Sequence, residues 1–219
     1  MATVAARHFA SLTSVVLAFL SATNVAGAEQ PSYIKADASA LTKAYGPELT
    51  SRILSDELTQ QRLAALAEGV KIVPDLQCPA DAPFVVQDIF PTTLPYAGRF
   101  WVERLAIHCN RDIRFRLLFN ENGGAIKAIP LVPGDTMVGA ILEKDARQFV
   151  AMSAQGGKPE GCEQFLVVDT AVVNAQTTPE DTWIERWTAS MCGKLSVHEV
   201  TFTPTPADGG TDISVHAVK

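Results

Sequence analysis

The chain has little of what usually carries chemistry. Its 219 residues include four Cys, four His, three Trp and three Tyr. No two Cys stand in a Cys-x-x-Cys spacing, which leaves thiol redox chemistry and zinc ribbons without a basis. There is no Gly-x-Ser-x-Gly elbow, His-Glu-x-x-His pair, phosphate loop or Gly-x-Gly-x-x-Gly turn. Positive charge is also short: 18 Lys and Arg face 24 Asp and Glu, for a net charge of −6. No basic cluster offsets that balance, which argues against a nucleic acid or an anionic membrane as partner. Beyond residue 28 no apolar run is long enough to cross a bilayer.

What the chain does have begins with an export signal. Arg7 and His8 precede an apolar run from Phe9 to Leu20, and Ala26-Gly27-Ala28 is a small-x-small cleavage site. Residues 1–28 therefore read as a signal peptide, and the mature chain is expected to start at Glu29 in the periplasm or outside the cell. All four Cys fall in the exported part, and an even count in an oxidising compartment reads as two disulfides.

Pattern and punctuation divide the rest. Residues 29–37 read as irregular. Ala36 to Tyr45 is expected to form a turn or two of helix, stopped by Gly46-Pro47. Leu49 to Glu68 has helical spacing, with Leu49, Ile53, Leu54, Leu58, Leu63, Leu66 and Ala67 on one stripe and Gly69 just past its end. Strands are expected over Phe84–Phe90, Arg99–Cys109, Ile113–Leu117 and Ala125–Val132, with Asn122-Gly123-Gly124 as a tight turn. Pro133-Gly134 breaks the chain, and the order starts again. Asp135-Thr136 can cap a helix from about Met137 to Ser153 with apolar positions Val138, Ile141, Leu142, Phe149 and Met152. Strands over 165–173, 182–192, 195–203 and 211–218 follow.

The two halves share their landmarks. Trp101-Val102-Glu103-Arg104 runs into Cys109, and Trp183-Ile184-Glu185-Arg186-Trp187 runs into Cys192. Cys78 and Cys109 are 31 positions apart, Cys162 and Cys192 are 30, and Phe119 and Phe202 each stand ten positions after the second Cys. Such self-similarity indicates a tandem duplication: an α+β unit at 29–132, with an N-terminal helical extension, and another at 133–219, each a helix on a four-stranded antiparallel meander. Duplication favours Cys78–Cys109 and Cys162–Cys192 among the three possible pairings. Arg104 to Cys109 is five positions but Arg186 to Cys192 is six, so a β-bulge is expected between Thr188 and Met191.

In element order each unit resembles cystatin-like folds, and the tandem resembles the secreted β-lactamase inhibitor proteins. The Trp-x-Glu-x-Trp…Cys-Gly-Lys run from Trp183 to Lys194 is similar to a group of uncharacterised exported proteins of proteobacteria. That likeness covers the last third of the chain and implies a periplasmic home without an activity.

Candidate function follows from what remains. His108, His198 and His216 are too scattered to form a metal set and read as satisfied or solvent-facing strand residues. No catalytic residue, metal or cofactor is expected. Adjacent Glu and Arg on a strand point to opposite faces, so Glu103, Arg104, Glu185 and Arg186 are expected to pair across the sheet, for instance with Arg114, Arg116 or Glu199. Trp101, Trp183 and Trp187 serve either the core or an open aromatic shelf. If they form a shelf, the candidate binding residues are Trp101, Glu103, Arg104, Trp183, Glu185, Arg186 and Trp187. The favoured reading is an envelope binding or interaction protein, its partner a protein or small molecule, with exposed apolar surface on an uncovered sheet face. The competing reading is an enzyme with its site between the halves, where Glu103 or Glu185 meets a His.

Overall fold

The computed structural model describes residues 34–35, 38–79, 82–205 and 209–218. The expected signal peptide lies outside them. Helices α1 (Ala38–Ile53) and α2 (Asp56–Ile72) precede most of a first antiparallel sheet. Its strands, in spatial order, are β1 (Ile34–Lys35), β2 (Phe84–Thr92), β3 (Arg99–His108), β4 (Asp112–Asn122) and β5 (Ala125–Pro130). Helix α3 (Ala140–Ala154) then leads into a second antiparallel sheet of β6 (Phe165–Asn174), β7 (Trp183–Met191), β8 (Lys194–Thr205) and β9 (Gly210–Val218). The architecture is mixed α+β with a duplicated sheet arrangement.

The expected long helix over Leu49–Glu68 is split at Leu54–Ser55. Ser55 is extended, and its Oγ accepts the Leu58 N–H at 3.3 Å. With Asp56 and Glu57 in the next turn, it forms an N-cap that starts a new helix. Gly69 does not end α2. It is buried inside the helix, and a Cβ there would lie 3.0 Å from the Phe115 ring, so its role is close approach to β4. Gly46 does interrupt α1, with φ +79, ahead of Pro47. The stretch 29–37, expected to be irregular, contributes β1 at Ile34–Lys35.

One face of the first sheet packs against α1 and α2. Leu41, Leu49, Ile53, Leu58 and Leu66 meet Trp101, Leu105, Phe115 and Phe119. In the second sheet Ala146 and Val150 of α3 meet Trp183, Trp187, Val200 and Phe202. Trp101 stacks on Phe119 at 5.2 Å and Trp183 on Phe202 at 4.8 Å between ring centroids, so the shared spacing from Cys to Phe marks the same stack in both sheets. The disulfides are Cys78–Cys109 and Cys162–Cys192, each tying the loop before a sheet to the tip of its central hairpin.

Two expectations in the second half are corrected. β7 pairs with β8 without a register shift from Trp183 to Met191, so it carries no bulge; the shifts lie on β6, at Val167/Asp169 and Val172/Asn174. The extra residue is taken up at the hairpin tip, where the turn Cys192-Gly193 replaces the longer connection Cys109-Asn110-Arg111. Helix α3 starts at Ala140 after Gly139 and has no side-chain cap; Asp135 pairs instead with Arg114, and the Thr136 hydroxyl accepts the Val138 N–H. Its buried face is Glu143, Ala146, Val150 and Ala154, while Ile141, Phe149 and Met152 are exposed. Small residues let α3 sit close to a sheet already crowded by Trp183, Trp187 and Phe202.

The segment 131–143 joins the halves: it first continues beside β4 at the edge of the first sheet, then passes over that sheet's far face. Leu131 and Gly134 donate N–H groups to the carbonyls of Arg116 and Arg114, and Asp135 donates to that of Thr170 on β6 at 2.7 Å. Leu131 and Ala140 pack on Phe90, Phe100, Val102 and Leu118. Arg116 of β4 bonds Glu143 of α3, and both are buried. At the crossing, Gly134 has φ +95, and a Cβ there would fall 2.2 Å from the Thr170 carbonyl oxygen. Gly134→Ala should therefore cost about 3 kcal/mol, from backbone strain plus displacement of β6. Phe149→Ala should stay within about 0.5 kcal/mol of wild type in the same urea unfolding series, because that ring is 42% exposed.

Candidate functional site

The repeated Trp-x-Glu strands point inward. Trp101, Glu103, Trp183, Glu185 and Trp187 are all buried, with both Glu at 0% exposure. A carboxylate in such a place must be saturated with donors. Arg62 of α2 supplies them to Glu103, with Nε at 2.6 Å and Nη2 at 2.8 Å, and the Trp101 indole adds a third at 3.0 Å. Glu185 is held differently. The Trp183 and Trp187 indoles donate at 3.2 and 2.8 Å, and the Met137 N–H donates at 2.8 Å. The fifth position of the run explains the difference, because Leu105 in the first strand leaves a place that Arg62 fills and Trp187 in the second brings its own donor.

Cross-strand pairing therefore holds for only part of the motif. Glu103 pairs with a helix and Glu185 with indoles, because both sit on the helix-covered faces. Arg104, on the opposite face, does pair across the sheet, with Asp88 of β2, its Nε at 2.8 Å. Arg186 is exposed and stands opposite Glu199 in register. Arg104 and Arg116 line a small cavity of about 30 Å³, together with Thr92, Thr136 and Gly139. Tyr45 tilts over Trp101, and burial first, then Glu103, pushes its phenol well above the usual range.

Neither Glu meets a His. The buried imidazole is His198, whose Nδ1 lies 3.0 Å from Ser153 Oγ and whose Nε2 lies 2.8 Å from Ser196 Oγ. A Ser–His contact resembles half of a hydrolase triad, but here a second hydroxyl occupies the place of the orienting carboxylate. The ring is 1% exposed, and burial pushes it below its ordinary value.

The open site lies elsewhere. The crossing segment covers the upper part of the first sheet's far face and leaves the lower part bare. There a cleft of about 640 Å³ runs between the two sheets. Its floor is Val85, Gln87, Ala106, His108 and Arg114 on β2, β3 and β4. Its far wall is Gly134, Asp135 and Asp169–Ala171 of β6, and Arg111 and Asp112 close one end. None of the seven motif residues lines it. Val85 is 63% exposed and supplies an apolar centre. Charge of both signs rings it: Arg114 pairs with Asp135, His108 pairs with Asp112, and Arg111 acts on Asp169. Burial, and to a lesser degree Asp135, pushes Asp169 above the usual carboxylate range against the pull of the Thr170 N–H and Arg111. The Oδ1 of Asp135 is buried without a hydrogen-bond partner among the described residues. These residues have no local signature: strand register gathers three separated stretches on the first sheet, and the contact of Gly134 and Asp135 with β6 adds the other two.

Comparison with family models, curated proteins and solved structures finds no match.

Two outcomes test the buried groups. Arg62→Ala leaves Glu103 buried without its cation and should cost about 3–5 kcal/mol by urea unfolding. For His198 the folded value lies below the unfolded value of 6.5, so the unfolded chain binds the extra proton. Stability is then full above that pH and falls as the pH drops below it. Unfolding free energies between pH 8 and 5 should decline less steeply in His198→Gln than in wild type.

Proposed function

We propose that this is an exported, envelope-located binding protein built from two copies of a helix-on-meander unit, with the cleft between the sheets as its ligand site. The observation that carries the reading is the cleft itself: an exposed apolar floor at Val85 ringed by Arg111, Arg114, Asp112, Asp135 and Asp169. Pockets that combine apolar surface with a few convergent polar groups are the usual form of a binding site. The mixed charge fits a small polar molecule or a peptide segment bearing groups of both signs. The Trp-x-Glu strands then serve the two cores rather than the ligand. Equivalent Trp–Phe stacks, equivalent buried Glu and equivalent disulfides support the duplication. The disulfides, the basic and apolar start of the chain and the Ala26-Gly27-Ala28 site support export.

The test is an amide-shift titration of isotope-labelled mature chain with fractionated envelope extract. Shifts should appear at Val85, Ala106, Arg114 and Asp169 and vanish in Val85→Arg. Shifts confined to other surfaces would overturn the cleft as the ligand site. Turnover of an extract component that is lost in His108→Ala would replace binding with catalysis.

A further inference from the structure

Each sheet has two edges, and three of the four are protected. β1 is two residues long. β5 is six residues long and carries Lys127 and Pro130. β6 has two register shifts and already receives the Asp135 N–H. Short strands, Lys, Pro, bulges and covering segments are the devices by which proteins keep an edge from pairing. Among the described residues β9 has no Lys, Pro, bulge or covering segment, and its one acidic residue is Asp212. It runs nine residues from Gly210 to Val218, pairs with β8 without a register shift, and contains neither Pro nor Lys. Among the described residues no strand pairs with its other edge.

We infer that β9 is a homodimer interface, in which two copies of this chain join their second sheets edge to edge in an antiparallel, two-fold arrangement. The side-chain order of β9 is self-complementary for that partner. Full overlap of the nine residues places Ser214 on the two-fold axis. Asp212 then stands opposite His216 of the other copy, twice, and Ile213 stands opposite Val215, twice. Asp212, Ser214 and His216 are all exposed on the same face in the single chain, whereas Ile213 and Val215 pack toward the second core. The joined strands continue the alternation of each sheet, so an apolar row meets an apolar row and a carboxylate meets an imidazole. A shift of the axis to Ile213 or Val215 shortens the overlap and sets Asp212 opposite Ser214 or Val218. The arrangement is isologous and closes after two copies. The axis stands perpendicular to the sheet, so both α3 helices, which pack chiefly against β9, lie on the same face of an eight-stranded sheet.

The experiment uses the mature chain in sedimentation equilibrium over a concentration series, with thermal unfolding as a check on folding. Wild type should approach twice the monomer mass. His216→Asp sets like charges opposite each other at two places and should weaken association by about tenfold, and adding Asp212→Lys to it should restore the dimer. Ser214→Cys should oxidise to a covalent dimer whose non-reduced digest contains a 214–214 peptide, because residues on the axis of an antiparallel pair face each other. A monomer at every concentration would overturn the inference. So would a dimer that tolerates His216→Asp and yields no 214–214 link.

Discussion

Each sheet is built around a carboxylate that water cannot reach. A buried acidic side chain is tolerated only if the fold delivers several donors to it, and each half does so with different means. Around Glu103 the donors come from a guanidinium on α2 and an indole on its own strand. Around Glu185 two indoles flank the acid and the chain entering α3 lends a backbone N–H. Helix α2 and the chain entering α3 are thus positioned by polar geometry as well as by apolar contact. Arg62 also reaches the Ile53 carbonyl at 2.7 Å, so the same side chain fixes how α2 follows α1.

Much of the fold was legible in the sequence because it is written locally or twice. Gly123-Gly124 closes its hairpin with positive φ at both residues, which few other pairs tolerate. The Trp, Phe and Cys spacings recur, and each recurrence corresponds to the same stack and the same disulfide. The errors came where one local signal has two physical outcomes. The Ser55-Asp56-Glu57 cap is short enough to be overrun by the Leu periodicity on either side. On α3, Ile141, Phe149 and Met152 share a helix face, and so do Glu143, Ala146, Val150 and Ala154; large side chains suggested the first, and the space above two Trp rings selects the second.

The cleft was not legible for a different reason. Its residues have ordinary identities at unremarkable spacings, and their convergence depends on where segment 131–143 lies across the first sheet. Pro133-Gly134 was visible as a break, but what Gly134 permits is contact between that segment and the β6 backbone. Neither Glu103 nor Glu185 lines the cleft, because both are turned into the two cores.

The bond between Arg116 and Glu143 is unequal for its two owners. Removed from its partner half, Arg116 would sit on an open sheet face and be hydrated. Glu143 would remain on the core side of α3, already pushed upward by burial, and would lose the cation and the Val132 N–H that hold it. Separating the halves would therefore cost Glu143 more than Arg116, because the acid loses two donors while it stays on the packed side of its helix.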